Sequence, residues 1–156
     1  MTSFSRLIGA LTTAEVEFVL IGGLALISRG GTRTTQDLDL VYERGSANLE
    51  RLVTALQPLR PRLRGAPAEL PFFFDARTLK SGLNFTLVTD FGEVDLLGEV
   101  TGLGGYAAAL AKSSVLPMFG HQVRVLDLEG LEQSKRAAGR AKDLIDLETI
   151  ASLKRR

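Results

Sequence analysis

The chain has 156 residues, of which 45 % are hydrophobic and 24 % charged, the composition of an ordinary globular protein, and its length predicts a single domain over residues 1–156. The formal net charge of +1 gives no indication of binding to DNA or acidic membranes, and the absence of cysteine excludes disulfides and thiolate metal sites. A single histidine excludes a histidine-based metal cage within one chain. The sequence contains neither an apolar run long enough to span a membrane nor an export signal, so we expect a cytoplasmic protein.

The first part of the chain alternates between helix and strand patterns. Residues 3–11 have helical apolar spacing, residues 16–21 form a β-rich run that ends near Ile21, and residues 24–31 predict a short helix. Residues 36–43 then predict a second strand. An amphipathic helix begins at Ser46 and ends at Pro58.

The remainder of the chain predicts hairpins and a helical end. Residues 60–71 are rich in proline and predict a connecting excursion rather than a linker between domains. Residues 83–88 and 92–100 predict a hairpin, 105–113 a short helix, and 114–128 a second hairpin that turns at Phe119-Gly120. Residues 128–153 predict two helices separated at Gly139. This order favours an α/β or α+β fold with a mixed sheet.

Two acids interrupt the second predicted strand. Residues two apart in a strand point to the same face, so Asp37 and Asp39 project together while Leu38 and Leu40 face the core. Two adjacent carboxylates repel each other, and a divalent cation such as Mg²⁺ removes that repulsion with hard oxygen ligands. Gly22-Gly23, between a strand and a helix, could supply close backbone contact to phosphate groups. The pattern therefore indicates a metal and phosphate site, although Asp37 alone could simply end a loop.

A third acid, Asp95, repeats this pattern in the strand "GEVDLL". If that strand lies beside the strand of Asp37 and Asp39, three carboxylates converge, which is enough to hold two metals and accept a proton from an attacking hydroxyl. Asp95 could instead be an edge residue that faces solvent together with Glu93.

A second motif competes with this interpretation. Residues 102–107, "GLGGYA", fit G-x-G-x-x-A after a strand, and Asp127 lies twenty residues after Ala107, as in a dinucleotide-binding unit. The helix that this motif would open is short, however, and the dinucleotide interpretation leaves the three acids unexplained.

Taken together, the Gly-Gly pair, "RTTQDLDL", "GEVDLL" and the C-terminal "SKRAAGRAKDLIDL" resemble the nucleotidyltransferase superfamily of the polymerase-β type. Within it the chain most resembles the small bacterial group related to AbiEii-type toxins. The resemblance implies a minimal nucleotidyltransferase fold, a mixed twisted sheet flanked by helices with a helical C-terminus. Many members have Gly-Ser where this chain has Gly22-Gly23, so one hydroxyl is missing.

The resemblance also implies roles for individual residues. Asp37, Asp39 and Asp95 would be the catalytic carboxylates and would ligate a two-metal Mg²⁺ site. The remaining candidates would contact the nucleotide or the acceptor: Gly22, Gly23, Arg33, Thr35, Lys135, Arg140 and Lys142. Arg33 and Thr35 could instead be plain loop residues. The basic cluster after residue 134 could instead be a solvated helix face.

The implied activity is transfer of a nucleoside monophosphate from an NTP to an acceptor hydroxyl on an RNA end, a protein or a small molecule. The alternative is a catalytically degenerate module that binds a nucleotide or a partner in a toxin–antitoxin system. A homodimer that completes the acceptor pocket remains open, and no membrane partner is expected.

Overall fold

The computed structural model describes residues 2–67 and 69–156, and seven strands of this part of the chain form one mixed sheet. The strands are β1 (Phe18–Ile21), β2 (Asp37–Tyr42), β3 (Arg62–Leu63), β4 (Asn84–Thr89), β5 (Gly92–Leu97), β6 (Ser113–Met118) and β7 (His121–Leu126). The helices are α1 (Phe4–Thr13), α2 (Gly22–Ser28), α3 (Ser46–Leu56), α4 (Ala76–Ser81), α5 (Tyr106–Ala111), α6 (Leu128–Ala138) and α7 (Ala141–Lys154).

The sheet has the order β3-β4-β5-β2-β1-β7-β6. Two hairpins, β4–β5 and β6–β7, form its two sides, and β2 and β1 lie antiparallel between them. The hairpins join this central pair through parallel contacts, β2 with β5 and β1 with β7. The chain therefore has the architecture that the sequence predicted, a mixed sheet flanked by helices and ending in two helices.

The sequence explains several element boundaries. The turn between β6 and β7 consists of Phe119 and Gly120, both with positive φ, as a two-residue hairpin turn requires. Asp127 caps α6 by accepting a hydrogen bond from the backbone N–H of Gly130, and Gly139, with φ of +64°, ends the same helix. Pro58 lies in a short 3₁₀ turn that follows α3.

Two elements were missing from the sequence prediction. β3 is only two residues long, lies inside the proline-rich excursion and pairs with β4, so the excursion extends the sheet instead of merely connecting its parts. Ala68, which also falls in the excursion, lies outside the described residues. α4 is a short helix capped by Asp75, which accepts from the backbone N–H of Thr78.

The core is continuous across the sheet. Leu38, Leu40, Val94 and Leu96 are fully buried, and α1 packs against α3 while α6 packs against α7. Complete burial of such side chains is worth about 1.5–3 kcal/mol each. Within residues 2–67 and 69–156, no helix has both the length and the apolar character needed to cross a bilayer.

Candidate active site

The parallel pairing of β2 with β5 brings three acids together. Asp39 lies opposite Asp95 in the register, and Asp37 lies opposite Glu93. One carboxylate oxygen each from Asp37, Asp39 and Asp95 lies within 4.8 Å of the others. Leu38, between the two acids of β2, points to the other face and is fully buried. The expected convergence of three carboxylates is therefore present, on a rigid part of the sheet.

The surroundings of Asp39 and Glu93 disfavour the ionised forms of these two carboxyl groups. Burial, a hydrogen bond with Asp95 and the charges of Asp95 and Asp37 together raise the pKa of Asp39 to about 8, against the opposing charge of Lys135. A hydrogen bond with Asp37, together with partial burial, raises the pKa of Glu93 above its ordinary value. Carboxylates that resist ionisation beside one another are typical of sites that receive a cation.

The donor set fits a divalent cation with hard-ligand chemistry. Asp37, Asp39 and Asp95 offer only oxygen atoms, which suit Mg²⁺ rather than a metal that prefers nitrogen or sulfur. All three side chains are half-buried, so their oxygens remain accessible from solvent. Mg²⁺ bound by a few carboxylates usually completes its coordination with water and substrate phosphates.

A cleft of about 440 Å³ opens beside Asp39. Its walls include Gly22 at the start of α2 and Ser134, Lys135 and Arg140 from the C-terminal helices. The cleft is large enough to receive part of a nucleotide, and it has an acid on one wall and basic side chains on another. Two of the predicted nucleotide contacts, Lys135 and Arg140, thus face the same space as a predicted metal ligand.

Gly22 is required by the close approach of the chain to Asp39. Its φ is +72°, a left-handed conformation that favours glycine, and a Cβ at this position would overlap the Asp39 carboxylate. Any other residue would therefore push Asp39 out of its place beside Asp95. α2 itself is short, seven residues, and a phosphate contact from its backbone stays a prediction.

Gly23 makes room for a different side chain. A Cβ at Gly23 would lie 2.7 Å from Oγ1 and 2.8 Å from Cβ of Thr35, well inside normal contact. A serine at position 23 would collide with Thr35 unless the loop between α2 and β2 moved. The hydroxyl group nearest to this turn is thus carried by Thr35, whose contact with a phosphate stays a prediction.

The basic cluster of the C-terminus has one buried member, Lys135, and three exposed ones, Arg136, Arg140 and Lys142. Lys135 Nζ lies 2.9 Å from Asp146 and 3.4 Å from Asp143, whose side chains are 1 % and 0 % exposed. Arg140 donates to Asp143 from its backbone N–H and from Nε at 2.7 Å, and Arg33 Nε lies 3.5 Å from Asp146. Lys135 therefore belongs to an internal ion network with Asp143 and Asp146. The other basic residues of the cluster are exposed, as on the solvated helix face that the sequence allowed.

This network controls the charge of its own members. Burial alone would raise the pKa of Asp143, but hydrogen bonds from Arg140 and the charge of Lys135 outweigh it and lower the pKa below the ordinary value. Asp143 therefore stays ionised inside the protein. Lys142, in contrast, is exposed on the first turn of α7.

Arg64 is a member of the site that sequence reasoning missed. Its guanidinium lies 2.9 Å from Asp95, 3.5 Å from Glu93 and 3.9 Å from Asp37. The residue follows β3, in the proline-rich excursion. The alternation of Arg60, Arg62 and Arg64 was a period-two signal for a strand with one basic face, and it could have predicted β3 and its charge.

The dinucleotide alternative finds no support in the arrangement of strands. β5, before residues 102–107, lies in the middle of the sheet, whereas β6, after α5, lies at its far edge and pairs antiparallel with β7. A dinucleotide unit needs a helix that connects neighbouring parallel strands. Asp127 is used as the N-cap of α6 instead of facing the glycine loop.

Comparison with solved structures places the fold among nucleotide-transferring enzymes. The lincosamide antibiotic adenylyltransferase LnuA, bound to lincomycin, superimposes with a TM-score of 0.61 at 14 % identity over 97 % of this chain and 98 % of its own. ANT(2")-Ia in complex with adenylyl-2"-tobramycin gives 0.60 at 16 % identity, covering 94 % of this chain and 84 % of its own.

A third structure, an antigenic nucleotidyltransferase-like protein from Paracoccidioides brasiliensis, gives a TM-score of 0.53 at 17 % identity over 98 % of this chain and 77 % of its own. No family model matches the sequence, and no curated protein matches it either. At these identities the similarity establishes the fold, and the activity has to be argued from the residues.

Proposed function

We propose that this chain is a metal-dependent nucleotidyltransferase of the polymerase-β type, which transfers a nucleoside monophosphate from an NTP to an acceptor hydroxyl and releases pyrophosphate. The observation that carries the proposal is the meeting of Asp37, Asp39 and Asp95 on one face of β2 and β5, beside a cleft with basic side chains. Three half-buried acids at one place raise the energy of the empty site, which is a common property of catalytic centres.

Each group has a role that its position supports. Asp37 and Asp39 would hold Mg²⁺, and Asp95 would complete a two-metal site and accept the proton of the acceptor hydroxyl. When bound, the metal would neutralise phosphate charge and stabilise the charge that develops on the attacking and leaving oxygens. The chain itself would orient the triphosphate with backbone groups at Gly22 and Gly23 and with the cations on the cleft wall. Catalysis would rest on positioning and charge compensation.

Small hydroxylated molecules are the first acceptors to test. Two of the similar structures are named as an adenylyltransferase bound to lincomycin and as a protein in complex with an adenylylated tobramycin. An RNA end and a protein hydroxyl remain acceptor classes within the same proposal, because all three present a hydroxyl to the carboxylate site.

Calorimetry with the four NTPs, with and without Mg²⁺, tests the proposal directly. We expect Mg²⁺-dependent binding of at least one NTP. Incubation with each α-labelled NTP and a cell lysate should then label an acceptor, and Asp39→Asn should lower that labelling more than about 10³-fold because it removes a metal ligand. A protein that binds none of the four NTPs would be a partner-binding module and not a transferase.

We further propose that the chain is a toxin of the AbiEii-related group, active in the cytoplasm where NTPs and RNA are found. The support is the combination of the acidic strands with the C-terminal "GRAKDLID" motif, whose Arg140 lines the cleft together with Lys135 of α6. Induced expression in a bacterial host should stop growth for the native chain and not for Asp39→Asn at equal protein level. Equal growth of both strains would remove the toxin assignment while leaving the transferase assignment intact.

A further inference from the structure

Arg64 contributes a permanent positive charge to the carboxylate site. Its Nη2 donates to Asp95 at 2.9 Å and to the backbone carbonyl of Leu87 at 2.8 Å, and Nη1 lies 3.9 Å from Asp37. The side chain is only 26 % exposed. An arginine cannot lose its charge in a protein, so this cation is present at every physiological pH.

The carboxylate oxygens that Arg64 contacts are also the proposed ligands of the divalent metal. The cation that the three acids would hold must approach Asp37 and Asp95, the two metal candidates that Arg64 contacts. A metal ion and a guanidinium that share carboxylates within about 4 Å repel each other, and the repulsion is weakly screened where water is partly excluded. The two cations therefore compete for one set of ligands.

The contacts of Arg64 leave it only partly satisfied. Its Nε lies 3.5 Å from Glu93 but makes no hydrogen bond within the described part of the chain, although the atom is buried. A buried N–H without an acceptor costs free energy, so the arginine is held less firmly than its three charge contacts suggest. Its backbone is anchored to β4, since the Arg64 N–H donates to the carbonyl of Thr86, and the side chain alone can exchange.

We propose that Arg64 is a built-in competitor of the divalent cation, which neutralises Asp95 and Asp37 in the free protein and must withdraw its guanidinium when metal enters. The inference rests on the metal site of the proposed function. It predicts that the free protein binds metal more weakly than its three carboxylates alone would allow, and that loss of the arginine increases metal affinity.

The experiment is a titration of Mn²⁺ into the nucleotide-free protein by calorimetry, for the native chain, Arg64→Gln and Arg62→Gln. Arg62 is the matched control: it belongs to β3, carries the same charge, and pairs with Asp90 at 3.6 Å instead of the site. We expect Arg64→Gln to bind Mn²⁺ about tenfold or more tightly than the native chain, and Arg62→Gln to stay within about twofold.

Unchanged or weaker Mn²⁺ binding in Arg64→Gln would overturn the inference while leaving the metal site of the proposed function in place. Absence of Mn²⁺ binding in the native chain and in both variants would overturn the inference and the metal site together. A second measurement uses the native protein and needs no folded variant. Modification of Arg64 by phenylglyoxal, followed by mass spectrometry, should increase when Mn²⁺ is added, and equal or lower modification contradicts displacement of the side chain.

Discussion

Two charge clusters each contribute side chains to the same cleft, Asp39 from the sheet and Lys135 and Arg140 from the C-terminal helices, and they are built in opposite ways. On the sheet, Asp37, Asp39 and Asp95 face one another with Arg64 as their direct counter-charge. Between α6 and α7, the charges alternate in sign and each buried acid has a basic partner. The first cluster is unbalanced and half-exposed, and the second is balanced and buried.

This difference indicates that the acidic cluster of the sheet is suited to binding a ligand, whereas the paired charges between α6 and α7 are suited to stabilising the fold. Like charges brought together raise the free energy of the folded state, so such a cluster persists only where something else compensates it. Paired buried charges are strongly destabilising only when one partner is removed. The acids of the sheet are therefore candidates for chemistry. The network of Lys135, Asp143 and Asp146 joins α6 to α7.

In the acidic cluster, a large effect on turnover is expected at Asp95 as well as at Asp39. Asp95→Asn should reduce turnover by about 10²–10⁴-fold because it removes the proposed proton acceptor, while Mg²⁺-dependent NTP affinity is mostly retained. Single-turnover kinetics with a labelled NTP measure the first quantity and calorimetry the second. Asp90→Asn is the control, since Asp90 lies in the turn of the same hairpin and pairs with Arg60 and Arg62. Equal losses in both variants would mean that the hairpin, and not the carboxylate, carries the effect.

The second-largest effect is expected on stability, when Lys135 is removed from the balanced cluster. Lys135→Met leaves Asp146 and Asp143 buried with fewer partners, and we expect the free energy of unfolding to fall by about 3 kcal/mol. Arg136→Met, one residue further along α6, removes the same charge from an exposed position and should change stability by less than about 0.5 kcal/mol. Urea unfolding of both variants gives the comparison. Similar stability in the two variants would show that the buried network contributes nothing to the fold.

A fall in pH should change the stability contributions of the two clusters in opposite directions. The folded protein raises the pKa of Asp39 to about 8, so the folded state binds this proton more tightly than the unfolded chain and stability falls as pH rises from about 4 to 8. Asp143 has a lowered pKa, so its contribution is present above about pH 4 and is lost as the pH falls through its folded-state pKa.

Thermal unfolding in the presence of EDTA measures this difference. Between about pH 4 and 8, a range set by the ordinary and shifted pKa values of Asp39, the native chain should lose stability as the pH rises, and Asp39→Asn should remove most of that slope. At the upper end the variant should be the more stable protein by a few degrees in Tm, since the amide carries no charge. Parallel pH profiles for the two proteins would contradict the assignment of the raised pKa to Asp39.

The sequence was most informative where the local pattern decides the structure. Alternation of acids with buried leucines in β2 predicted which face Asp37 and Asp39 share, and the turn at Phe119-Gly120 predicted the second hairpin. The convergence of Asp95 with these acids depends on the parallel pairing of β2 and β5, which joins segments more than fifty residues apart. The sequence did not predict that pairing; it predicted only that the three acids would converge if the two strands were neighbours.

The sequence was least informative where long-range packing decides. Arg64 reaches Asp95 because a two-residue strand docks at the edge of β4. The alternating arginines of the proline-rich segment indicate a strand with a basic face, but not which acids that face will meet. Lys135 belongs to a run of basic residues that is usually exposed, and only the close packing of α6 on α7 buries it against Asp143 and Asp146. In both cases the residue type was visible in the sequence, but the residues that it contacts in the folded protein were not.

The smallest effects should separate Arg140 from Lys142, which the sequence grouped together. Arg140 lines the cleft, and its side chain, 57 % exposed, pairs with Asp143 at the start of α7. Lys142 is exposed on the same first turn but does not line the cleft. Arg140→Ala should lower the free energy of unfolding by about 0.5–1 kcal/mol and weaken NTP binding several-fold, because both a helix-end contact and a cation of the cleft wall are lost. Lys142→Ala should change stability by less than about 0.5 kcal/mol and leave NTP affinity unchanged. Calorimetry and urea unfolding of the two single variants decide the matter. If Lys142→Ala weakens NTP binding as much as Arg140→Ala, the bound nucleotide extends beyond the cleft and over the first turn of α7.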